Sequence, residues 1–293
     1  MKSLGFEEKY RGVARMLIGC PDRPGIVAAI SRFLVDSGAN IIQSDQYTQD
    51  PDGGMFFMRV EFFLEDVEGK LPELQHEFRP IAEQFNMEWR MTSASTPKKM
   101  VIFVSKEEHC LRELLWQWQE GDLYAEIPMV ISNHNHSRDL VESLGIPYHH
   151  IPVTRETKGE AERRQQELMS ENVDFIVLAR YMQILSPYFV DTFQNKVINI
   201  HHSFLPAFIG GRPYEQAYTR GVKIIGATAH YVTEELDAGP IIEQDVIRVN
   251  HRSDAENLKK EGRHIERIVL ARAVKWHLED RILVHKNKTI VFT

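Results

Sequence analysis

Hydrophobic and polar positions alternate along the chain with two periods, and the order of these periods predicts the elements. Upstream of residue 94, apolar residues recur at helical spacing in two segments and at strand spacing in four. The predicted order is strand, helix, strand, strand, helix, strand, over residues 12–20, 24–37, 41–48, 55–64, 71–85 and 87–91. A βαββαβ order of this kind predicts a ferredoxin-like unit.

Downstream of residue 99, strands and helices alternate over a longer stretch. Three predicted strands, 100–104, 173–178 and 197–200, are almost entirely apolar, which is typical of parallel strands covered on both faces. The pattern therefore predicts a Rossmann-like α/β fold with a mostly parallel sheet. Ligands of such sheets bind at the carboxyl ends of the strands, so functional residues are expected there.

A run of small, polar and proline residues from Thr92 to Lys99 separates the two patterns. We assign residues 1–93 to a first domain, 94–99 to a linker and 100–293 to a second domain. The chain has 293 residues, about twice the length of a typical domain, which agrees with two domains.

Composition and charge narrow the classes of function. Apolar residues make up 43% and charged residues 26%, and the formal net charge is -7, which argues against broad binding to nucleic acid or to anionic membranes. Neither a secretory signal nor a membrane span is expected, so we predict a cytoplasmic protein. Cys20 and Cys110 are predicted to be free buried thiols. The histidines do not follow the spacing of a metal site, and no metal is expected.

Two polar side chains belong to the buried strand 197–200 and its end. Asn199 and His201 are two positions apart, so a strand places both side chains on the same face. An amide and an imidazolium are donors that could stabilise a carbonyl oxygen as it becomes an oxyanion. The same side chains could instead satisfy backbone groups of a loop, and these two residues alone leave both interpretations open.

A second polar segment, 226–240, adds a carboxylate. It runs from a strand through an acidic loop that Gly239 turns back into the next strand, so Asp237 could be held at the sheet edge. A carboxylate near His201 would favour the protonated imidazole and could also hold a water molecule.

Three short segments occur in a fixed order: Asn199-Ile-His201, Ser203-x-Leu-Pro206 and His230-x-Val-Thr-x-x-Leu-Asp237-x-Gly-Pro240. Together, with the 36-residue interval from His201 to Asp237, they resemble the signature of formyl-group transferases that use 10-formyltetrahydrofolate. Within that group the stretch 100–293 is most similar to the formyltetrahydrofolate deformylases. The resemblance implies that Asn199 and His201 polarise and protonate the formyl oxygen. It also implies that Asp237 orients His201 and activates water.

The implied activity is hydrolysis of 10-formyltetrahydrofolate to formate and tetrahydrofolate, which would supply formate and balance the one-carbon folate pool for purine synthesis. The folate would be the substrate, and no cofactor is expected. By the same resemblance, five residues line its pocket: Met182, Gln183, Leu185, Val232 and Leu236. Gln183 stands where the family often has arginine, so contact with the substrate's carboxylates from this position would be uncharged. Arg180, His202 and Arg212 could also aid binding.

The first domain resembles an ACT module in the stretches 20–27 and 38–41. Such modules usually pair through their sheets and bind amino acids, which implies a homo-oligomer, a dimer or tetramer, and an amino-acid effector. Asp22, Gly25 and Asn40 are the candidate effector contacts, with a ligand carboxylate at the N–H groups that open the first helix. A ligand-free dimerisation unit is the alternative interpretation.

Two other functions stay open at the level of the sequence: formyl transfer to an amine, and amino-acid or folate sensing without catalysis. The loop Ser105–His109 favours water over a phosphorylated amine. It lacks the glycines with which transformylases approach the acceptor's phosphate, and Glu107 and Glu108 would repel that phosphate. An intact set of Asn199, His201 and Asp237 favours an enzyme over a sensor.

Overall fold

Two units make up the chain. The first contains the residues up to Pro97 together with Glu279–His285 and Ile290–Thr293, and the second contains Lys98–Leu278 together with Lys286–Thr289. The structure, a computed structural model, describes four stretches of the chain: 8–50, 52–169, 173–207 and 213–293. Within these stretches no helix is long and apolar enough to cross a bilayer.

The first unit is built on one antiparallel sheet. Its elements are β1 (Val13–Pro21), α1 (Ile26–Asp36), β2 (Asn40–Thr48), β3 (Met55–Phe63), α2 (Val67–Phe85) and β4 (Glu88–Ser93). The strands lie in the order β2-β3-β1-β4, which confirms the predicted ferredoxin-like fold. Because side chains alternate along a strand, Met16 and Ile18 of β1 lie on one face, in a core shared with Phe78 of α2.

The second unit alternates strands and helices, as predicted. Its elements are β5 (Lys98–Val104), α3 (His109–Glu120), β6 (Ala125–Glu126), β7 (Val130–Ser132), α4 (Arg138–Glu142), β8 (Tyr148–His150), α5 (Lys158–Met169), β9 (Phe175–Ala179), α6 (Pro187–Thr192), β10 (Val197–His201), α7 (Pro213–Arg220), β11 (Ile224–Tyr231), β12 (Ile241–Arg248) and α8 (Ala255–Leu278). The strand order is β12-β11-β10-β9-β5-β7-β8, with β6 beside β5. The strands from β10 to β8 are parallel, whereas β11 and β12 are antiparallel to their neighbours, which confirms a mostly parallel sheet.

Strand direction places the loops of this unit. Strands β9 and β10 run side by side in parallel, so the loop that starts at Arg180 and the residues that follow His201 lie at the same edge of the sheet. Strand β11 runs the other way, and its last residue, Tyr231, pairs with Ile198 near the start of β10. The loop after β11 must therefore return along β10 before it can reach His201.

The end of the chain lies partly in the first unit. After α8 come β13 (Ile282–His285) and β14 (Lys288–Val291). Phe292 packs on the face of the first sheet that α1 and α2 leave uncovered, against Leu17 and Phe57.

A buried arginine also contacts this last segment. Arg59, 1% exposed, donates hydrogen bonds to the backbone carbonyls of Glu279 and Asp280 at 3.1 and 3.0 Å. The sequence-based domain range 100–293 differs here from the observed units, because part of 279–293 covers the first sheet.

Candidate active site

Strand β10 carries the first two predicted catalytic residues on one face. His201 is 5% exposed, and its Nδ1 atom lies 3.2 Å from Oδ2 of Asp237. A carboxylate accepts hydrogen bonds only, so Nδ1 of His201 carries a proton and donates it to Asp237. This hydrogen bond is the largest cause that lowers the pKa of Asp237 below its usual range, so the carboxylate is ionised.

The other ring nitrogen of His201, Nε2, is available for a hydrogen bond to a ligand. Its Nε2 atom is buried and has no hydrogen-bond partner among the described residues, while the residue lines a cleft. A buried polar atom without a partner is uncommon in a folded protein and calls for an explanation such as a ligand. A bound substrate with a carbonyl oxygen at this position would satisfy it.

The neighbouring strand orients the amide of Asn199. Its Nδ2 atom lies 3.2 Å from Nε2 of His230, the residue that pairs with it across β10 and β11. The His230 Nδ1–H donates to the carbonyl of Tyr231 at 2.9 Å, and burial lowers the pKa of His230, so the ring is neutral and Nε2 accepts. The amide nitrogen of Asn199 therefore faces His230, and one N–H remains for a ligand.

Backbone geometry holds Asp237 in place. The residue has a φ of 55°, in the left-handed region, and its loop ends where the Tyr231 N–H donates to the Pro240 carbonyl at 2.9 Å. At Gly239 an added Cβ would lie 1.8 Å from the carbonyl oxygen of Tyr231, so only glycine allows the loop to pass this close. The loop thereby returns to β10 and brings the carboxylate to His201.

The cleft beside these residues has a cavity volume of about 340 Å³, within the range of small-molecule sites. All five predicted substrate contacts line it: Met182, Gln183, Leu185, Val232 and Leu236. The Met182 N–H donates to the Ser105 hydroxyl at 3.0 Å, which ties the loop after β9 to the end of β5. The walls combine apolar side chains with a small number of converging polar groups.

The candidate effector contacts are not assembled within one chain. Asp22 and Gly25 follow the end of β1 that pairs with Met55, whereas Asn40 pairs with Phe63 at the other end of β3. The eight residue steps between these ends correspond to about 26 Å. Helix α1 returns the chain along the whole sheet before β2 begins, which explains the separation.

Sequence reasoning missed several residues next to the site. His230 belongs to a quoted segment but was given no role, although its place opposite Asn199 was a usable signal. Glu266 of α8, 1% exposed, contacts His109 and Tyr214, and these positions are too far apart in the sequence to suggest a contact. Arg180 and His202 line the cleft, and Arg212 lies outside the described residues.

One group among the described residues has donor atoms close enough for a metal ion. His109, Cys110 and Glu266 offer ligand atoms within 4.8 Å of one another. However, Nε2 of His109 is already 2.8 Å from Oε2 of Glu266 in a direct hydrogen bond. This direct contact satisfies two of the three candidate ligands without an ion.

The loop before α3 has its predicted acidic character, but Glu107 is paired. Its carboxylate contacts Lys259 at 2.9 Å and Arg263 at 3.1 Å, both on α8. Glu108 precedes α3 at its N-cap position and pairs with Arg112 at 2.6 Å. The chain's own carboxylates and cations therefore meet at the start of α3.

Comparison with known proteins supports both halves of the fold. The Formyl transferase family model matches residues 98–274, and the ACT domain model matches residues 14–75. Formyltetrahydrofolate deformylase of Bacillus subtilis (strain 168) is 61% identical over 289 residues, which cover 98% of this chain and 95% of that protein.

Solved structures agree with the sequence relatives. The crystal structure of a formyltetrahydrofolate deformylase from Pseudomonas syringae is 49% identical with a TM-score of 0.91, and the match covers 96% of this chain and 94% of that one. The phosphoribosylglycinamide formyltransferase of Coxiella burnetii is 30% identical with a TM-score of 0.62, over 67% of this chain and 94% of that one. The similarity to deformylases thus extends over both units.

Proposed function

The chain belongs to the formyltetrahydrofolate deformylase family and hydrolyses 10-formyltetrahydrofolate to formate and tetrahydrofolate, and we propose that Asn199, His201 and Asp237 carry out this reaction. The observation that carries the proposal is the unpartnered Nε2 of His201, buried beside the cleft while Asp237 holds the opposite nitrogen. A cleft of this size suits the folate, with the formyl group at the two donors.

Asn199 and His201 stabilise the charge that develops on the formyl oxygen. Water attacks the formyl carbon, and the carbonyl electrons move to the oxygen, where the N–H of Asn199 and Nε2–H of protonated His201 donate hydrogen bonds. One preorganised donor of this kind is worth about 10² to 10³ in rate. One proton of the attacking water passes by way of Asp237 to the folate nitrogen as the bond from the formyl carbon to that nitrogen breaks. The other water proton stays on the product, which leaves as formic acid and ionises to formate in solvent.

Asp237 has two tasks in this scheme. Its carboxylate favours the protonated form of His201, because an anion in hydrogen-bond contact stabilises an imidazolium. It also accepts a hydrogen bond from the attacking water and so increases the nucleophilicity of the water oxygen. A positioned group of this kind is worth about 10² to 10⁴ in rate.

The folate is held by the two loops that line the cleft. Met182 and Leu236 line the cleft and are 56% and 54% exposed, and we propose that the pterin and its linker cover them. Leu185, 9% exposed, and Val232 form the deeper apolar wall. Gln183 provides a neutral polar contact at the rim.

Incubation of the purified protein with 10-formyltetrahydrofolate and no acceptor tests the proposal. Release of formate at an enzymatic rate supports hydrolysis. Formyl transfer that depends on added glycinamide ribonucleotide would support a transformylase instead, and folate binding without turnover would support a sensor. The loop before α3 favours the first result, because it lacks glycines that would let the backbone approach a phosphate closely, and its two carboxylates already occupy the neighbouring cations.

We further propose that the first unit forms pairs and binds an amino acid. Strand β2 is an edge strand, and it exposes Ile42 and Tyr47, which suits contact with a second copy. Asp22 and Gly25 would contact the effector at one end of the sheet, and a second copy would have to supply Asn40. We also propose that the protein is cytoplasmic and that the formate it releases is used in purine synthesis.

A further inference from the structure

A row of polar side chains lies behind the proposed catalytic histidine, with Arg180 and Glu266 buried and His202 half-buried. The ring of His202 stacks on that of His201, with centroids 5.1 Å apart and an interplanar angle of 29°. Nη1 of Arg180 lies 2.6 Å from Nδ1 of His202, and Nε of Arg180 lies 3.3 Å from Oε2 of Glu266. The row therefore connects β10 through the loop after β9 to α8.

The contact with Arg180 fixes the protonation of His202. A guanidinium only donates hydrogen bonds, so Nδ1 of His202 must accept, and the proton of the ring sits on Nε2. Burial and the charge of Arg180 lower the pKa of His202 to about 4. The ring that stacks on His201 is therefore neutral at physiological pH.

Glu266 balances the charge of Arg180. It is 1% exposed and accepts hydrogen bonds from Nε2–H of His109 at 2.8 Å and from the Tyr214 hydroxyl at 2.5 Å. Burial alone would raise the pKa of Glu266, but the hydrogen bond from His109 and the charge of Arg180 lower it below its usual range. The carboxylate is thus an anion placed beside the buried guanidinium.

Arg180 also adopts an unfavourable backbone conformation. Its φ of 64° lies in the left-handed region, which costs energy in any residue other than glycine. Strained residues of this kind cluster at functional sites. A glycine would fit the turn more easily, so the presence of arginine points to a use for its side chain.

We propose that Glu266, Arg180 and His202 form a positioning relay that holds a neutral ring against His201 and so lets His201 carry the proton used on the formyl oxygen. This inference rests on the proposed function of His201. Without Glu266, the charge of Arg180 would be uncompensated at the wall of the cleft. A second cation on His201 would then be disfavoured.

His201 also faces titratable groups on other elements. Asp237 reaches it from the loop after β11, and its Oδ1 atom lies 3.8 Å from Nε2 of His230 on β11. Asp237 is ionised and His230 is neutral. Together with Arg180 and Glu266, the surroundings of His201 thus contain two anions and one cation, and removal of either buried charge of the relay shifts this balance in a known direction.

Two substitutions with opposite expected signs test the relay. Glu266→Gln should move the alkaline limb of the kcat profile to lower pH by about one unit, because Arg180 remains as an unpaired cation. Arg180→Met should move the same limb to higher pH, because the guanidinium no longer offsets the negative charge of Glu266. In both variants KM for 10-formyltetrahydrofolate should change less than kcat. The matched control is Arg272→Gln, which removes an exposed arginine of α8 from its ion pair with the half-buried Glu243, and it should keep the wild-type profile.

The outcomes separate the relay from a structural role and from the proposed function. Equal losses of kcat at every pH, a change in KM alone, or unchanged limbs in both variants would overturn the relay. Should Glu266→Gln fail to fold, the limb of Arg180→Met decides, since a limb at the wild-type position contradicts the inference. A wild-type protein that releases no formate in this assay would count against the hydrolysis instead.

Discussion

The amide nitrogen of Asn199 lies 3.2 Å from Nε2 of His230, and this contact determines which end of the amide faces the cleft. In His230→Leu the amide loses its acceptor and can turn its oxygen toward the formyl oxygen, where two lone pairs would repel. We expect kcat to fall about 10- to 100-fold, with a smaller change in KM. The upper value corresponds to the complete loss of one hydrogen-bond donor to the oxyanion. Steady-state assays of formate release measure both constants.

The matched variant for this contact is His230→Gln. The oxygen of a glutamine amide can accept the hydrogen bond from Asn199, so this variant should retain more activity than His230→Leu. Equal activity of the two variants would mean that the hydrogen bond does not set the orientation of the amide.

The two donors on β10 can be removed one at a time. Asn199→Ala and His201→Ala should each fold and should each lower formate release by about 10² or more, because each removes a donor or acid that acts mainly in the transition state. Circular dichroism checks the fold, and a formate assay checks the rate. Wild-type turnover in either variant would remove that residue from the mechanism.

Gly239 permits the loop that carries Asp237. In Gly239→Ala the new Cβ would meet the carbonyl oxygen of Tyr231 at 1.8 Å, so the loop must shift and Asp237 must leave its contact with His201. We expect kcat to fall about 100-fold, the scale of a misplaced acid or base. The control is Gly159→Ala, since a Cβ on Gly159 meets nothing within 4 Å, and this variant should keep wild-type activity. If both variants turned over like wild type, the loop would not depend on this glycine.

The sequence predicts the parts of this molecule that depend on local spacing. Short apolar segments predicted the strands of both units, and the two-residue spacing of Asn199 and His201 predicted their shared face. Spacing cannot predict at which end of a sheet the chain arrives after it has passed through a helix. Asn40 was grouped with Asp22 although α1 separates them by the length of a strand. The position of Glu266 behind Arg180 depends on the packing of α8, which only tertiary structure reveals.

The packing of the last segment of the chain on the first sheet could likewise not be predicted from the sequence. An ion cluster on this sheet allows a test of how stability depends on pH. Glu61 accepts hydrogen bonds from Nη2 of Arg59 at 2.7 Å and Nε of Arg15 at 3.0 Å. Although burial alone would raise it, these contacts lower the pKa of Glu61 below its ordinary value of 4.5. The stabilising contribution is therefore complete above pH 4.5 and is lost as the pH falls through the lower folded value.

Glu61→Gln should accordingly destabilise the protein by about 3 kcal/mol at pH 7, since it leaves Arg59 buried without its carboxylate. The difference from wild type should shrink as the pH falls below the folded pKa of Glu61, where the wild-type carboxyl is itself protonated. Urea unfolding at a series of pH values measures this difference. Glu88→Gln, an exposed residue on β4, serves as the control and should leave the midpoint unchanged at every pH. A loss that is equal at pH 7 and at the acid end would mean that packing, and not the charge of Glu61, accounts for the effect.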